Sequence, residues 1–269
     1  MTMENGAQAK PVPTSRFHRM ARLGTLASSV AGSMLAEGAR QIIHGKRPHL
    51  GALLLTPANA QRVTKELSRM RGAAMKVGQL LSMDAGDLMP PMLTDILSTL
   101  RSDAVHMPMS QLLPVLSGAW GEGWESQFDR FSFTPVAAAS IGQVHKATTK
   151  DGYELAIKVQ YPGVRESIDS DVDNVSTLLR LSGLLPTTFK LEPLLSEAKA
   201  QLHAEADYLL EAAWLETYAN LLHASAAYKV PVCYQALTTR NVLAMSWVEG
   251  QSIESLSNAS SEVRDRVAC

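Results

Sequence analysis

Five residues constrain this chain more than any others: Leu155-Ala156-Ile157-Lys158-Val159 is an apolar run with a lysine inside it. Such a run favours a strand. Side chains alternate along a strand, so Ala156 and Lys158 face one way while Tyr153, Leu155 and Ile157 face the other. An ammonium group buried without a partner is expensive, so Lys158 requires a carboxylate or a phosphate beside it. The alternative is an edge strand on which the lysine only blunts aggregation.

Around this strand the sequence reads as a small antiparallel sheet. Three strands are expected within Arg130 to Gln160. Phe131 and Phe133 alternate with polar residues, Gly142 to Thr148 follows an Ala-rich turn, Lys150-Asp151-Gly152 marks a hairpin, and Glu154 to Gln160 ends at Tyr161-Pro162-Gly163. A second strand pair is predicted at Val230 to Tyr234 and Val242 to Trp247, joined through Thr238 to Asn241.

Helices flank the sheet. Thr56 as N-cap and Pro57 at the first helical position open a helix predicted to run to about Ser82. Its apolar positions Val63, Leu67, Met70, Ala74, Val77 and Leu81 alternate steps of four and three, and Gly72, Lys76 and Gln79 fall on the opposite face. A glycine inside a helix costs about 1 kcal/mol relative to alanine, so close packing is expected on that second face too. A further helix is predicted over Leu191 to Asn220, with Leu195, Leu202, Ala206, Leu209 and Ala213 as its apolar stripe.

Composition narrows the class. Twenty-five basic against 26 acidic residues give a net charge of −1, which argues against a chain-wide nucleic-acid footprint. Cys233 and Cys269 form neither a disulfide framework nor a zinc-ligand spacing, so a reducing, cytosol-like compartment is expected. The longest largely apolar run, Leu23 to Ala36, is too short for a bilayer, which needs about 20 residues. Within it Gly24, Ser28, Gly32 and Ala36 make a small-residue face suited to a neighbouring helix or, given Arg16, Arg19 and Arg22 upstream, to a peripheral lipid contact.

Chemistry concentrates around the strands. Val136-Ala137-Ala138-Ala139-Ser140-Ile141-Gly142-Gln143-Val144 is a strand–turn–strand of small residues, where backbone N–H groups can approach phosphate oxygens. Small residues at a turn are also ordinary packing. Followed by a hairpin and the strand lysine, however, this turn takes the kinase order of phosphate-covering loop and ATP lysine. That order demands a helical glutamate downstream. On the helix over Leu191 to Asn220, Asp207 and Glu211 share the far side and Glu205 lies near the stripe's edge, and one straight helix cannot aim all three at one ligand. Glu211 is expected to pair with Lys158, with Glu205 as the alternative. Taken alone, the same helix reads as a solvated acidic face.

Asp169, Asp171 and Asp173 invite a calcium reading, but the sixth loop position is Asn174 and the twelfth Arg180, where glycine and glutamate are required. Capping and solvation are expected of them instead.

Lys76-Val77-Gly78-Gln79, Ala137-Ala138-Ala139-Ser140, Lys158-Val159-Gln160-Tyr161-Pro162-Gly163-Val164 and Glu205-Ala206-Asp207-Tyr208 occur in that order. In these motifs the chain resembles the UbiB/ADCK (AarF-like) atypical kinase family of coenzyme Q biosynthesis, over residues 20–260. The resemblance implies an α+β, protein-kinase-like N-lobe over 126–255, a small antiparallel sheet plus helices. Before it come a tail over 1–19, expected to be disordered, and a helical extension over 20–125 that carries the Lys-x-Gly-Gln motif. Residues 256–269, with a helix over Glu262 to Val267, are then the start of a C-lobe that is otherwise missing.

The resemblance also assigns roles. Ala137, Ala138, Ala139, Ser140 and Lys158 contact the nucleotide, and the adenine-contacting hinge lies near Ser246 and Val248. Lys76 and Gln79 point into the site, and Glu205 and Asp207 form a Glu-x-Asp motif that partners Lys76. ATP with magnesium is the implied cofactor. Alanine in place of glycine restricts the covering loop and implies an altered nucleotide preference. One departure stands out: these residues contain neither Asp-Phe-Gly nor a catalytic-loop aspartate and asparagine.

The expectation is therefore the ATP-binding portion of a longer atypical kinase or ATPase that supports ubiquinone biosynthesis, inactive by itself, with magnesium ligands beyond residue 269. The alternative is a non-catalytic lipid-binding or scaffold module of the same pathway. Expected partners are ATP or ADP, membrane lipid or quinone precursors, and coenzyme Q biosynthesis proteins, without nucleic acid. The expected location is cytoplasmic, peripheral on a membrane in the lipid-binding case, or mitochondrial in a eukaryote.

Overall fold

The computed structural model of the protein describes residues 64–65, 67–85, 106–182, 190–251, 253–257 and 259–268, with isolated positions 32, 36, 40, 43, 44 and 95. Strands β1 (Phe128–Phe131), β2 (Ala137–Ala138), β3 (Gly142–Thr149), β4 (Glu154–Gln160) and β5 (Val242–Ser246) form one sheet. All pairings are antiparallel, in the order β1-β3-β4-β5 with β2 also on β3. The β3–β4 hairpin closes where the sequence predicts, with Gly152 at φ +83° and its N–H donating to Thr149 O at 3.0 Å.

Two strand expectations need correction. The first strand is Phe128–Phe131, and Phe133 lies in the bend beyond it. A register shift between Phe128 and Arg130 turns the strand away early, yet Phe133 still reaches the Trp124 and Phe131 rings. Val230 to Tyr234 is no full strand: it makes a single bridge, Cys233 to Met245. Backbone bonds from Tyr234 N to Ala244 O and from Ser246 N to Val232 O, both 2.8 Å, hold it there. The next ladder donor, Val232 N–H, is taken by the Ser246 hydroxyl at 2.9 Å and not by a backbone carbonyl.

The described helices are α1 (Arg71–Ala85), α2 (Met109–Trp120), α3 (Val164–Ser182), α4 (Leu191–Glu205), α5 (Tyr208–Leu222) and α6 (Ser261–Ala268). The predicted start at Thr56 and Pro57 lies outside the described residues, as does Val63. A 3-10 turn over Ser68–Met70 precedes α1, and the Ser68 hydroxyl donates to Lys65 O at 2.8 Å, a local bond that competes with the α-helical ladder. Leu67, Met70, Ala74, Val77 and Leu81 are all buried, as their spacing requires.

The single helix expected over Leu191 to Asn220 is two. Ala206 and Asp207 break it, with Asp207 extended at φ −109°. The sheet takes the backbone groups that the break exposes: Gln160 Nε2 donates to Ala206 O at 2.9 Å, and Tyr208 N donates to Arg240 O at 3.3 Å. The apolar stripe changes with it. Leu195, Leu202 and Ala206 are buried, but Leu209 and Ala213 are exposed while Tyr208 and Ala212 turn inward.

Two cores sandwich the sheet. Leu155, Ile157 and Val159 of β4 pack with Leu112 and Leu116 of α2 and with Trp124 and Phe128. On the other side α1, α3 and α4 share one core with Tyr208, Ile141 and Leu243, so part of the helical extension is integral to the lobe. Each buried leucine-sized side chain contributes roughly 1.5–3 kcal/mol. The aspartates of α3 also depart from simple solvation. Asp173 pairs with Lys199 of α4 at 2.6 Å and Asp169 with His203 at 3.3 Å, while Asp171 is buried and accepts from the Ser167 hydroxyl at 2.9 Å. Residues four apart share a helix face, so Asp169 and Asp173 help dock α4.

Candidate nucleotide-binding site

Ala137, Val144, Lys158 and Leu243 lie directly opposite one another across four strands. Directly paired residues share a face, so Lys158 and Ala137 lie on the same side of the sheet, while Ala138, opposite Gln143, faces the other way. At about 4.8 Å per strand, the Ala137 backbone lies about 10 Å from that of Lys158. The turn beyond Ala138 is tight: Ala139 N donates to Gly142 O at 2.8 Å. A side chain at Gly142 would have its Cβ 2.5 Å from Val159 O and 2.8 Å from the Tyr208 hydroxyl oxygen, so only glycine fits against β4 here.

The break between α4 and α5 completes the site, because it aims three neighbouring carboxylates in different directions. Glu211, in the first turn of α5, accepts from Lys158 Nζ at 2.6 and 2.8 Å on its two oxygens. A carboxylate is favoured at that helix end. Glu205, at the end of α4, forms an ion pair with Lys76 of α1 and accepts from the Ser140 hydroxyl at 3.4 Å. Asp207 turns to Arg165, at 3.4 Å, and Arg240, at 3.8 Å. Of the Glu-x-Asp pair only Glu205 contacts Lys76; Asp207 partners two arginines.

Helix α1, in the same core as α4 and Tyr208, also packs against the turn. A Cβ on Gly72 would come within 2.8 Å of Ile141 Cγ2 and 3.2 Å of Ser140 O, the close approach predicted for that face. Lys76 reaches Glu205, whereas Gln79 is exposed. At the far end of β5, Ser246 donates its N–H to Val232 O and accepts Val232 N–H on its hydroxyl at 2.9 Å. Its polar groups therefore hold the sheet edge, and Val248 lies half-buried just beyond.

Tyr208 is a member of the site that sequence reasoning quoted in a motif but gave no role. Lys158 Nζ stands 4.8 Å from the centre of its ring, a cation–π contact. Burial, and then the Glu211 charge beside it, hold the phenol well above its ordinary range, so it stays protonated. Arg165 and Arg240 were also missed, for no local pattern reveals that they converge on Asp207. The arrangement offers an ammonium group held by a carboxylate on the sheet face that also carries Ala137, and a fixed cation of this kind suits an anionic oxygen. Among the described residues, no group of three or more His, Cys, Asp or Glu side chains could hold a metal ion.

Known proteins resemble this chain along nearly its whole length. Residues 99–268 match the ABC1 atypical kinase-like domain. The mitochondrial atypical kinase COQ8 of Saccharomyces cerevisiae is 39% identical over 261 residues, which cover 97% of this chain and 52% of the yeast protein. The mitochondrial atypical kinase COQ8B of Danio rerio is 37% identical, covering 97% of this chain and 42% of its own length. The chain thus spans about half the length of the curated relatives it matches. A solved structure of a Mycobacterium tuberculosis protein with erythromycin is 33% identical at a TM-score of 0.49, covering 80% of this chain and 55% of that one. With its motifs, its kinase-like sheet and relatives at 37% and 39% identity along nearly its whole length, the chain belongs to the ABC1, or UbiB/ADCK, atypical kinase-like family of coenzyme Q biosynthesis.

Proposed function

We propose that this chain is the ATP-binding part of an atypical kinase or ATPase that supports ubiquinone biosynthesis. The observation that carries the reading is the Lys158–Glu211 pair, on the sheet face that also carries Ala137. Lys158 contacts the phosphates, and Glu211 fixes its ammonium group. Backbone groups of Ala138, Ala139 and Ser140 cover the phosphates, and the hinge around Ser246 and Val248 meets the base. Magnesium accompanies the nucleotide in this reading. The yeast and zebrafish relatives are mitochondrial by name, and we assign the same location to this chain in a eukaryotic host. Quinone precursors and proteins of that pathway are the proposed partners.

Nucleotide titration tests this directly. ATP and ADP should bind the chain, and Lys158→Ala should weaken binding about 10- to 100-fold, the loss of a charge-assisted contact. Unchanged affinity in that variant contradicts the reading. The lipid-binding alternative rests on residues 16–40, of which only Gly32, Ala36 and Arg40 are described, all exposed. Among the described residues no helix is long and apolar enough to cross a membrane. Liposome co-sedimentation with and without residues 16–40 separates the two readings.

A further inference from the structure

We infer that Tyr208 is a positioning residue for the nucleotide, its hydroxyl engaging the Ala-rich turn when phosphate is bound. The inference rests on the nucleotide reading and adds to it the side chain through which Lys158 and the covering turn act together. Tyr208 is fully buried, and its hydroxyl has no hydrogen-bond partner. Its ring touches the Lys158 ammonium group, 4.8 Å from the centroid. Its hydroxyl oxygen lies against Gly142, 2.8 Å from where a Cβ would stand. Gly142 is the residue whose carbonyl closes the turn by accepting from Ala139 N. One side chain therefore contacts both the phosphate-binding cation and the base of the phosphate-covering turn.

A buried hydroxyl without a partner destabilises the state in which it is found. Phenylalanine would fill the same volume and keep the same ring face toward Lys158. In the nucleotide-free chain the oxygen therefore contributes nothing favourable. Phosphate arriving beneath the turn draws the turn's N–H groups and the Lys158 ammonium group toward itself. That shift moves the backbone directly above the phenol, where a protonated hydroxyl can donate to a turn carbonyl. The hydrogen bond then forms only with ligand, and it adds to affinity.

The test is Tyr208→Phe in this chain, with ATP in magnesium buffer, followed by thermal unfolding and by titration. Without nucleotide the variant should melt a few degrees higher, because the orphan hydroxyl is gone. With nucleotide its affinity should fall roughly tenfold, so stability and affinity move in opposite directions, which a packing role alone does not produce. Tyr208→Leu, which also removes the ring from Lys158, should bind more weakly still. Full affinity in Tyr208→Phe overturns the inference, as does a parallel loss of stability and affinity. If the unsubstituted chain itself shows no response to ATP, the nucleotide reading fails first and this inference fails with it.

Discussion

Lys158 occupies a place where an ammonium group needs a partner, for its side chain is only 17% exposed and that of Glu211 30%. Removing the carboxylate charge leaves the cation half-satisfied beside Tyr208. Glu211→Gln should cost about 2 kcal/mol in denaturant unfolding and should also weaken ATP binding. A second buried group sets a pH dependence. His145 is fully buried, and burial lowers its pKa below the ordinary 6.5. The hydrogen bonds suit one neutral tautomer: Nδ1–H donates to Ser132 O at 2.8 Å, and Nε2 accepts from Gln143 Nε2 at 2.9 Å, whose other atom accepts Met107 N–H at 2.8 Å. The unfolded chain therefore binds a proton at His145 that the folded chain refuses. Stability from this group is complete above pH 6.5 and is lost as pH falls from there toward the lowered folded value, by at most about 1.4 kcal/mol per pH unit. Unfolding midpoints between pH 5 and 8 should show this slope, and His145→Gln should flatten it.

Among the elements, the break between α4 and α5 decides the site, and it was not legible in the sequence. The helical period runs on through Ala206 and Leu209, and nothing local in Ala206-Asp207 stops a helix as proline or glycine would. The stop comes from tertiary contacts, Gln160 on Ala206 O and Arg240 O on Tyr208 N–H. For the same reason the sequence offered Glu211 as the partner of Lys158 with Glu205 as the alternative, and could not separate the roles of Glu205 and Asp207. What periodicity and turn chemistry do encode came through: the β3–β4 hairpin, the face of Lys158 and the buried stripe of α1. Two glycines that pack at the Ala-rich turn, Gly142 of β3 and Gly72 of α1, give predictions at this scale. Gly142→Ala pushes a Cβ into Val159 O, a backbone atom, and should cost about 3 kcal/mol or more in unfolding experiments. Gly72→Ala gains about 1 kcal/mol of helix propensity, yet its Cβ meets the β-branched Ile141 and Ser140 O, so a net loss of about 1–2 kcal/mol is expected.

For the whole molecule, the sheet separates an aromatic-rich core under α2 from a helical core that includes α1. Helix α1 is thereby tied to the Ala-rich turn twice, through Gly72 against Ser140 and through Lys76 to Glu205, which also holds the Ser140 hydroxyl. Lys76→Ala should loosen that edge by about 1 kcal/mol and speed amide exchange along α1 and the turn while leaving α2 unchanged. The central claim is that this assembly holds a nucleotide through Lys158. Ligand that binds only the folded state stabilises it by about 2.7 kcal/mol at 100 times its dissociation constant. The most direct measurement is the unfolding free energy of the unsubstituted chain and of Lys158→Ala, with and without saturating ATP. The account predicts a gain of that order in the first and little or none in the second; equal gains in both, or none in either, contradict it.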